Sequence, residues 1–302
     1  MAAHTKVIVA AALLMAAALM PATPAAGAND ADRLTAAMHL AFVGHDGAAV
    51  VLRVRDGKLL AVYNPRILAH RLATPGSSIK PFTLELLLRK GLLKRSERFA
   101  CRRGLTVAGV RLNCSHPEGL RPFDAVEALA FSCNSYFTEA AKRLPAGELE
   151  ASLRAAGFEE PTGLMGGEAN GQVVSAKSME SRELLAIGAA GVEITPLELA
   201  MAYRRLAGWQ TAPSAAQRVV LEGLGASADY GLARAAQPEK LKIAGKTGTA
   251  SNPGSAVTHA WFAGFAPREA PQIVVVVYLE RGRGSVDAAA IARRIFEAWG
   301  SR

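Results

Sequence analysis

The sequence predicts an α/β (α+β) fold in which an antiparallel β-sheet is flanked by helices and joined to a second, mostly helical lobe. A hairpin pattern lies near the start, at residues 47–63, and three closely spaced strand patterns lie near the end, at residues 242–279. Between them, residues 77–237 show helical patterns separated by Gly and Pro. Short connections between successive strands favour antiparallel pairing, and helices must then cover the faces of the sheet.

The first 28 residues have the layout of a secretory signal peptide. Lys6 precedes an uncharged apolar run at 7–20, and a Pro- and Ala-rich stretch follows that ends in small residues at Ala28. This order predicts export with cleavage after Ala28. An uncleaved membrane anchor is the alternative, since no charge occurs from 7 through 28. Residues 29–302 are predicted to form one domain in the periplasm or on the outer face of the cytoplasmic membrane.

Helix and strand patterns follow in order along this domain. Apolar residues recur at helical spacing over residues 30–42. An Asp-Gly pair at 56–57 separates two β-rich runs, 47–54 and 59–63, and therefore predicts a hairpin. The last strand contains four consecutive valines, which predicts burial on both faces. The other predicted elements are helices at 82–89, 124–131, 147–156 and 196–206, strands at 242–250, 258–266 and 273–279, and a final helix at 286–299.

The net charge of +9 is spread along the chain. Arginine pairs are isolated and no aromatic ladder accompanies them, whereas a nucleic-acid-binding protein would concentrate both on one surface. No nucleic-acid partner is therefore predicted. A solvated basic surface that is attracted to anionic polymers of the cell envelope explains the charge instead.

The three cysteines are Cys101, Cys114 and Cys133. Cys101 and Cys114 flank a predicted hairpin around 107–110, and an exported chain tolerates disulfides. A bridge between these two would contribute about 3 kcal/mol if its geometry is favourable, leaving Cys133 as a free thiol. No CxxC or HExxH spacing occurs among the cysteines and the six histidines. On that ground no zinc site is predicted.

A first motif, Pro75-Gly76-Ser77-Ser78-Ile79-Lys80-Pro81, places a serine and a lysine one helical turn apart. Ser77 is predicted at the start of a helix, where backbone N–H groups are free, with Lys80 on the same face. A serine hydroxyl needs a base before it becomes a nucleophile, and a partly desolvated lysine amine can be that base. Taken alone, the motif is better explained by a capping serine followed by a surface lysine.

A second motif, Ser132-Cys133-Asn134, interrupts two helical stretches. Its side chains are predicted to project from a connecting turn into the cleft between the lobes. There the Ser132 hydroxyl can relay a proton and the Asn134 carboxamide can hold a substrate amide. An ordinary polar turn between helices is the alternative interpretation.

A third motif, Lys246-Thr247-Gly248-Thr249, lies in the first of the three C-terminal strands. Its glycine allows close backbone approach, its lysine supplies a cation, and its threonines supply hydroxyls for a carboxylate. The backbone N–H groups of Thr249 and Ser77 are predicted to form an oxyanion hole.

Together the motifs resemble the serine, S-x-N and K-T-G set of penicillin-binding proteins and class A β-lactamases. Nearly all of residues 29–302 resemble a penicillin-binding transpeptidase domain. Residues 188–191, Gly-Ala-Ala-Gly, depart from the G-Q-G sequence of many relatives, which leaves the shape of the cleft open. The segments that carry the wider resemblance are 47–65, 101–119, 194–203 and 260–267.

The resemblance implies a serine D,D-transpeptidase in which Ser77 is acylated by a D-Ala-D-Ala stem peptide of peptidoglycan, or by a β-lactam inhibitor that mimics it. It implies that Lys80, assisted by Ser132, is the base and that Asn134 orients the substrate amide. Neither a metal nor an organic cofactor is implied. The implied carboxylate-binding residues are Lys246, Thr247, Gly248 and Thr249.

Three alternative functions stay open at this point. A class D-like β-lactamase shares the motif outline, but such enzymes usually carry a hydrophobic residue where Asn134 stands. A D,D-carboxypeptidase differs only in passing the acyl group to water. A β-lactam- or muropeptide-binding module is the non-enzyme alternative, disfavoured because every catalytic residue is present. Only residues 29–46 precede the first hairpin, so a minimal transpeptidase domain is expected, with an envelope protein as a further expected partner.

Overall fold

The structure is a computed structural model that describes residues 26–120, 122–251 and 257–300. Most of the predicted signal peptide, residues 1–25, lies outside the described residues. The first helix begins at Ala26, before the predicted cleavage point. Within the described ranges, no helix combines the length and apolar character that a membrane span requires.

The elements follow the predicted order of helix, hairpin, helical insert, three strands and helix. The strands are β1 (Gly47–Arg53), β2 (Leu59–Tyr63), β3 (Thr106–Val107), β4 (Val110–Arg111), β5 (Gln172–Val173), β6 (Val192–Glu193), β7 (Ala244–Ser251), β8 (Thr258–Ala266) and β9 (Ile273–Leu279). The helices are α1 (Ala26–Ala41), α2 (Pro65–His70), α3 (Lys80–Arg89), α4 (Ala125–Ala130), α5 (Asn134–Ala141), α6 (Glu148–Ala155), α7 (Met179–Ala186), α8 (Pro196–Gly208), α9 (Ala215–Asp229) and α10 (Ala289–Gly300).

Five of these strands form one antiparallel sheet in the order β2-β1-β9-β8-β7. Strand β9 is the central strand, and it pairs with β1 on one side and β8 on the other. All seven of its residues are buried, as its run of valines predicts. The predicted antiparallel α/β architecture is confirmed, and the predicted bounds of β8 and β9 coincide with the observed ones.

The two faces of the sheet carry separate cores, because side chains alternate along each strand. One face packs against α1 and α10, with Leu34, Phe42 and Ile295 buried. The other face packs against the helical lobe, where α8 contributes Tyr203 and the sheet contributes Trp261. The site described below lies at this second face, where the helical lobe meets β7.

The helices begin at residues that satisfy their free N–H groups. Thr195 caps α8, because its Oγ1 accepts a hydrogen bond from Glu198 N–H. The Glu198 carboxylate in turn accepts one from Thr195 N–H, and Pro196 occupies the first turn. Asp124 and Glu127 form the same reciprocal pair at α4. Such capping boxes each satisfy two backbone donors that a helix start otherwise leaves unpaired.

Two helix starts differ from the predictions. The predicted helix at Ser77 begins with a 3₁₀ turn, Gly76–Ile79, called the serine turn below, and α3 follows it from Lys80. The final helix begins with a π-turn at Gly284–Ala288. A tight 3₁₀ turn suits a sequence in which Pro81 removes one backbone donor just after the turn.

The hairpin segment (residues 99–123) is closed by a β-bridge between Phe99 and Phe123 and contains the predicted hairpin, β3 with β4. The expected disulfide between Cys101 and Cys114 is not formed, and all three cysteines are free thiols. Cys114 Sγ instead lies 3.9 Å from Cys133 Sγ. A disulfide needs about 2.05 Å between the two sulfurs. The fold thus brings Cys133 next to Cys101 and Cys114.

Candidate active site

The serine turn is held against the helical lobe by backbone contacts. Gly76 N–H donates to Gly188 O at 3.0 Å. Gly188 has φ +68°, and a Cβ added there would lie 2.2 Å from Gly76 O. No side chain fits that contact, so the first glycine of the 188–191 segment is required although the rest of the segment departs from G-Q-G. Tyr203 also donates its hydroxyl proton to Ser78 O at 2.8 Å.

Strand β7 contacts the other side of the serine turn through glycine. A Cβ added to Gly248 would lie 2.5 Å from Pro75 O, and one added to Gly76 would lie 2.9 Å from Thr249 O. The glycines of the first and third motifs therefore let two backbones touch, as the third motif predicts. This contact places the backbone of Thr249 beside Ser77, whose side chain is half-buried.

Lys80 lies one turn after Ser77 and is completely buried. Its Nζ donates to Ser132 O at 2.8 Å, to Asn134 Oδ1 at 2.6 Å and to Ser132 Oγ at 3.3 Å. The Nζ also lies 5.1 Å from the centre of the Phe137 ring. Burial away from water lowers the pKa of Lys80 to about 8.

Lys246 approaches the same hydroxyl from the sheet. Its Nζ donates to Ser132 Oγ at 2.8 Å and to Thr247 O at 3.0 Å, and the side chain is completely buried. Burial, and then the nearby charge of Lys80, hold the pKa of Lys246 well below its ordinary value. Two amines converging on one hydroxyl in a dry environment therefore favour loss of at least one proton from the pair.

Ser132 takes this central position through an uncommon backbone conformation. Its φ is +54°, in the left-handed region that non-glycine residues rarely occupy. The residue lies in the turn between α4 and α5, as predicted, and it is buried. Its hydroxyl is the common partner of both lysines, which gives a physical reason for the conformation.

Asn134 is the first residue of α5 and is used within the protein. Its Oδ1 accepts from Lys80, and its Nδ2 donates to Leu112 O at 3.0 Å. Lys80 Nζ–H donates to Oδ1, and Nδ2 donates to a carbonyl that can only accept, so these partners fix the orientation of the amide. Asn134 thus ties the hairpin segment to Lys80.

The two threonines of the third motif differ in access. Thr247 is buried at 4 % exposure, whereas Thr249 is exposed. Thr249 Oγ1 accepts a hydrogen bond from Gly284 N at 2.8 Å, so its own proton remains available to a ligand. Lys246 is too deeply buried for a ligand to touch it without displacement. The predicted carboxylate-binding role of this motif therefore rests mainly on Thr249.

The structure brings all three predicted motifs together, and it adds residues that the sequence analysis missed. Tyr203 was recognised only as part of a family-like segment, and Gly188 only as a departure. A cleft of about 350 Å³ opens beside the hairpin segment, lined by Arg102, Ser135 and Glu183 among others. None of the predicted catalytic residues lines it, so this cleft is separate from the convergence of the motifs.

A second cluster lies beside the second motif. The metal-binding atoms of Cys101, Cys114, His116 and Cys133 all lie within 4.8 Å of one another. The prediction of no zinc site rested on the absence of close ligand spacing in the sequence, and the fold removes that ground. His116 is a member of this cluster, whereas His259 packs elsewhere in the core, with Nε2 2.7 Å from Thr74 O.

Known proteins resemble the chain in sequence and in fold. Stage V sporulation protein D of Bacillus subtilis is 27 % identical over 266 residues, covering 75 % of this chain and 41 % of the relative. Peptidoglycan D,D-transpeptidase PbpA of Mycobacterium tuberculosis is 26 % identical over 330 residues, covering 83 % of this chain and 66 % of the relative. The chain thus spans less than two thirds of the length of either relative.

The crystal structure of Pseudomonas aeruginosa PBP2 in complex with WCK 5153 superposes with a TM-score of 0.77 at 24 % identity, covering 90 % of this chain and 74 % of that one. This likeness confirms the fold. The family model for the penicillin binding protein transpeptidase domain matches residues 47–297, which include all three motifs. The chain therefore belongs to the penicillin-binding protein transpeptidase domain family.

Proposed function

We propose that this chain is a serine D,D-transpeptidase that acts on the D-Ala-D-Ala ends of peptidoglycan stem peptides through an acyl-enzyme on Ser77. One observation carries the proposal. The Lys80 amine is completely buried one turn after Ser77, and its pKa is lowered to about 8. A buried amine with this pKa can be neutral at physiological pH and can act as a general base.

The hydrogen bonds of Lys80 are compatible with the neutral state. Two of its three partners, Ser132 O and Asn134 Oδ1, can only accept, and they match the two protons of a neutral amine. The third partner, Ser132 Oγ, is a hydroxyl that can reverse its role and donate. The nitrogen lone pair can therefore accept a proton without loss of either carbonyl contact.

The proposed reaction starts as Ser77 Oγ attacks the carbonyl of the penultimate D-Ala while its proton passes to Lys80. The resulting oxyanion is proposed to lie at the backbone N–H groups of Ser77 and Thr249, whose segments touch where Gly76 meets the Thr249 backbone. As the peptide C–N bond breaks, Ser132 gives its proton to the leaving amine and regains one from Lys80. An acceptor amine then attacks the ester carbonyl and forms a new C–N bond, its proton passes by way of Ser132 and Lys80 to Ser77 Oγ, and the ester C–O bond breaks to release Ser77.

The remaining residues are proposed to orient these groups. Lys246 donates to Ser132 Oγ and so directs the Ser132 proton away from itself. Thr249, which is exposed, is proposed to hold the terminal carboxylate with Thr247, and Gly248 keeps the strand close enough for both. Asn134 is proposed to offer its free Nδ2 proton to the substrate amide.

The location of the protein remains part of the proposal. The predicted signal or anchor at residues 1–28 would export the domain at 29–302 to the periplasm or the outer membrane face, where peptidoglycan is found. An envelope protein is proposed as a partner because the domain would then lie in the cell envelope. β-Lactams are proposed as inhibitors because they mimic the stem peptide.

The test is the intact mass of the protein followed over time after addition of benzylpenicillin. A persistent adduct of one penicilloyl group is expected on wild type and not on Ser77→Ala. The matched control is Ser78→Ala, which alters the adjacent serine, whose Oγ donates to Pro75 O at 2.8 Å. This control should keep the adduct, because its serine faces the turn and not the bases.

Other outcomes select the alternatives. A short-lived adduct with rapid loss of the antibiotic would favour the class D-like β-lactamase. No adduct under conditions where the protein is folded would favour a binding module. A stem-peptide donor offered with and without an acceptor amine separates a transpeptidase, which forms the cross-linked product, from a D,D-carboxypeptidase, which releases only D-Ala.

A further inference from the structure

Four soft or borderline metal ligands meet beside the Ser132 turn. Cys101, Cys114 and His116 come from the hairpin segment, and Cys133 comes from the second motif. Their ligand atoms all lie within 4.8 Å of one another. Cys133, His116 and Cys114 are buried at 0 %, 3 % and 6 % exposure, and Cys101 is half-buried.

Two of the distances lie within about 0.3 Å of the edges of a tetrahedral zinc site. Zinc bonds of about 2.3 Å to sulfur and about 2.05 Å to nitrogen place neighbouring sulfurs about 3.8 Å apart and a sulfur about 3.6 Å from a nitrogen. Here Cys114 Sγ lies 3.9 Å from Cys133 Sγ, and His116 Nε2 lies 3.3 Å from Cys101 Sγ. The distance of 3.9 Å between the two sulfurs is far from that of a disulfide bond, in which they would be about 2.05 Å apart.

The histidine is held in the orientation that a metal ligand needs. His116 Nδ1 lies 2.9 Å from Pro117 O, a carbonyl that can only accept, so the proton lies on Nδ1. The Nε2 lone pair is then directed at the cysteines. Ligating histidines commonly donate their second nitrogen to a backbone carbonyl in this way. The ring also packs edge-on against Phe123, with centroids 4.9 Å apart.

The hairpin segment has little regular secondary structure to stabilise it, so a metal ion that joins it to the rest of the fold would contribute to its stability. Its two strands, β3 and β4, contain two residues each, and the rest of residues 99–123 in the described range is largely irregular. Short segments with little core of their own are commonly stabilised by disulfides or by a structural metal. Three thiols cannot all pair with one another, so a single disulfide would leave one of the three cysteines unpaired.

We propose that Cys101, Cys114, His116 and Cys133 bind one structural Zn²⁺ ion that fastens the hairpin segment to the Ser132-Cys133-Asn134 turn. Four protein ligands close the coordination sphere, which is typical of structural zinc and not of catalytic zinc. Binding replaces the three thiol protons, which pass to solvent, and His116 would bind the ion through Nε2. Thiolate ligands favour Zn²⁺ over Mg²⁺ or Ca²⁺, which prefer oxygen.

The proposed ion would also act on the site through the chain. Cys133 lies between Ser132 and Asn134, which both contact Lys80. Fixing the Cys133 sulfur fixes the turn that gives Ser132 its φ of +54°. Cys133 is thus a positioning residue, a role that rests on the proposed function, whereas the metal site itself does not.

The first test uses the full chain isolated with its thiols reduced. Elemental analysis and native mass spectrometry should find one Zn²⁺ per chain after equilibration with stoichiometric zinc and gel filtration. Replacement by Co²⁺ should give the intense visible bands of a tetrahedral site and the near-ultraviolet charge-transfer band of Co²⁺–thiolate bonds. Absence of bound metal with three free thiols, or octahedral cobalt spectra, would overturn the proposal. An isolated protein in which two of these cysteines form a disulfide would overturn it also.

Variants test the ligands one at a time. His116→Ala and Cys133→Ser are each expected to weaken zinc binding at least tenfold in competition with a chelator dye. His45→Ala is the matched control, because His45 is exposed and far from the cluster in sequence, and it should retain full metal content. Equal zinc retention in all three variants would refute the assignment, even if Cys133→Ser were less stable.

Penicilloyl formation measured on the same zinc-loaded and chelated samples separates the two proposals. Slower acylation, at least tenfold, after zinc removal supports the positioning role of Cys133, and equal rates refute it. Stoichiometric zinc without acylation in either sample would leave the metal site standing and overturn the proposed function.

Discussion

The lowered pKa of Lys80 predicts how acylation depends on pH. With a pKa of about 8, the neutral fraction of the amine is about 9 % at pH 7 and about 90 % at pH 9. The neutral form is the base, so the acylation rate should rise about tenfold between these pH values and level off above pH 9. An amine at its ordinary pKa of about 10.4 would give a rate that still rises steeply at pH 9.

The assay is the second-order rate constant for penicilloyl formation, measured by quenched mass spectrometry from pH 6 to pH 9.5. Tryptophan fluorescence at each pH confirms that the protein remains folded. Lys80→Arg keeps the positive charge but cannot lose its proton in this range. It is expected to slow acylation at least about 100-fold and to abolish the rise. Lys58→Arg, at an exposed lysine, is the matched control and should reproduce the wild-type profile.

Two results would refute this reasoning. A rate independent of pH from 6 to 9 would show that no group with a pKa near 8 limits acylation. A Lys80→Arg protein that keeps the wild-type rate would show that another group removes the Ser77 proton. The buried Lys246, whose pKa burial also holds well below its ordinary value, would be the next candidate.

Three further predictions concern the backbone around the site. Gly188→Ala should lower the free energy of unfolding by about 3 kcal/mol, because left-handed strain and overpacking act together. Gly208→Ala, where a Cβ meets nothing within 4 Å, should be neutral or stabilising. Urea denaturation measures both variants, and equal effects would contradict the contact between Gly188 and Gly76. Tyr203→Phe, which removes a buried hydrogen bond to the serine turn, should cost about 1–2 kcal/mol in thermal unfolding, while the half-exposed Tyr230→Phe should cost little. Ser132→Gly should be about 1 kcal/mol more stable than Ser132→Ala because of the positive φ, although both lose the hydroxyl and should acylate slowly; an Ala variant as stable as the Gly variant would contradict that strain.

Local patterns were sufficient to predict the sheet and the serine–lysine pair. The valine run of β9 and the Asp-Gly turn between β1 and β2 are signals that a short window contains, and both elements lie where they were predicted. Lys80 follows Ser77 by one turn in any helical conformation, so its place on the same face needed no tertiary information.

Contacts between distant segments could not be predicted in the same way. The three cysteines and His116 are separated by irregular intervals in the sequence. They come together because the hairpin segment packs against the start of α5. The bond from Asn134 Nδ2 to Leu112 O depends on that same packing, and it explains why the carboxamide is committed inside the protein. The requirement for glycine at 188 arises from a carbonyl more than a hundred residues away.

The central position of β9 has a consequence for how the chain reaches its native state. Strand β1 is synthesised early and can pair with β2 on one edge, but its second partner, β9, begins only at Ile273. The other edge of β1 therefore stays unpaired until nearly the whole domain has emerged. Such an edge can pair wrongly with other chains during transit across a membrane. The export proposed above would therefore depend on holding factors that cover this edge during synthesis, and acylation by a labelled penicillin would report the moment at which the last strand closes the sheet.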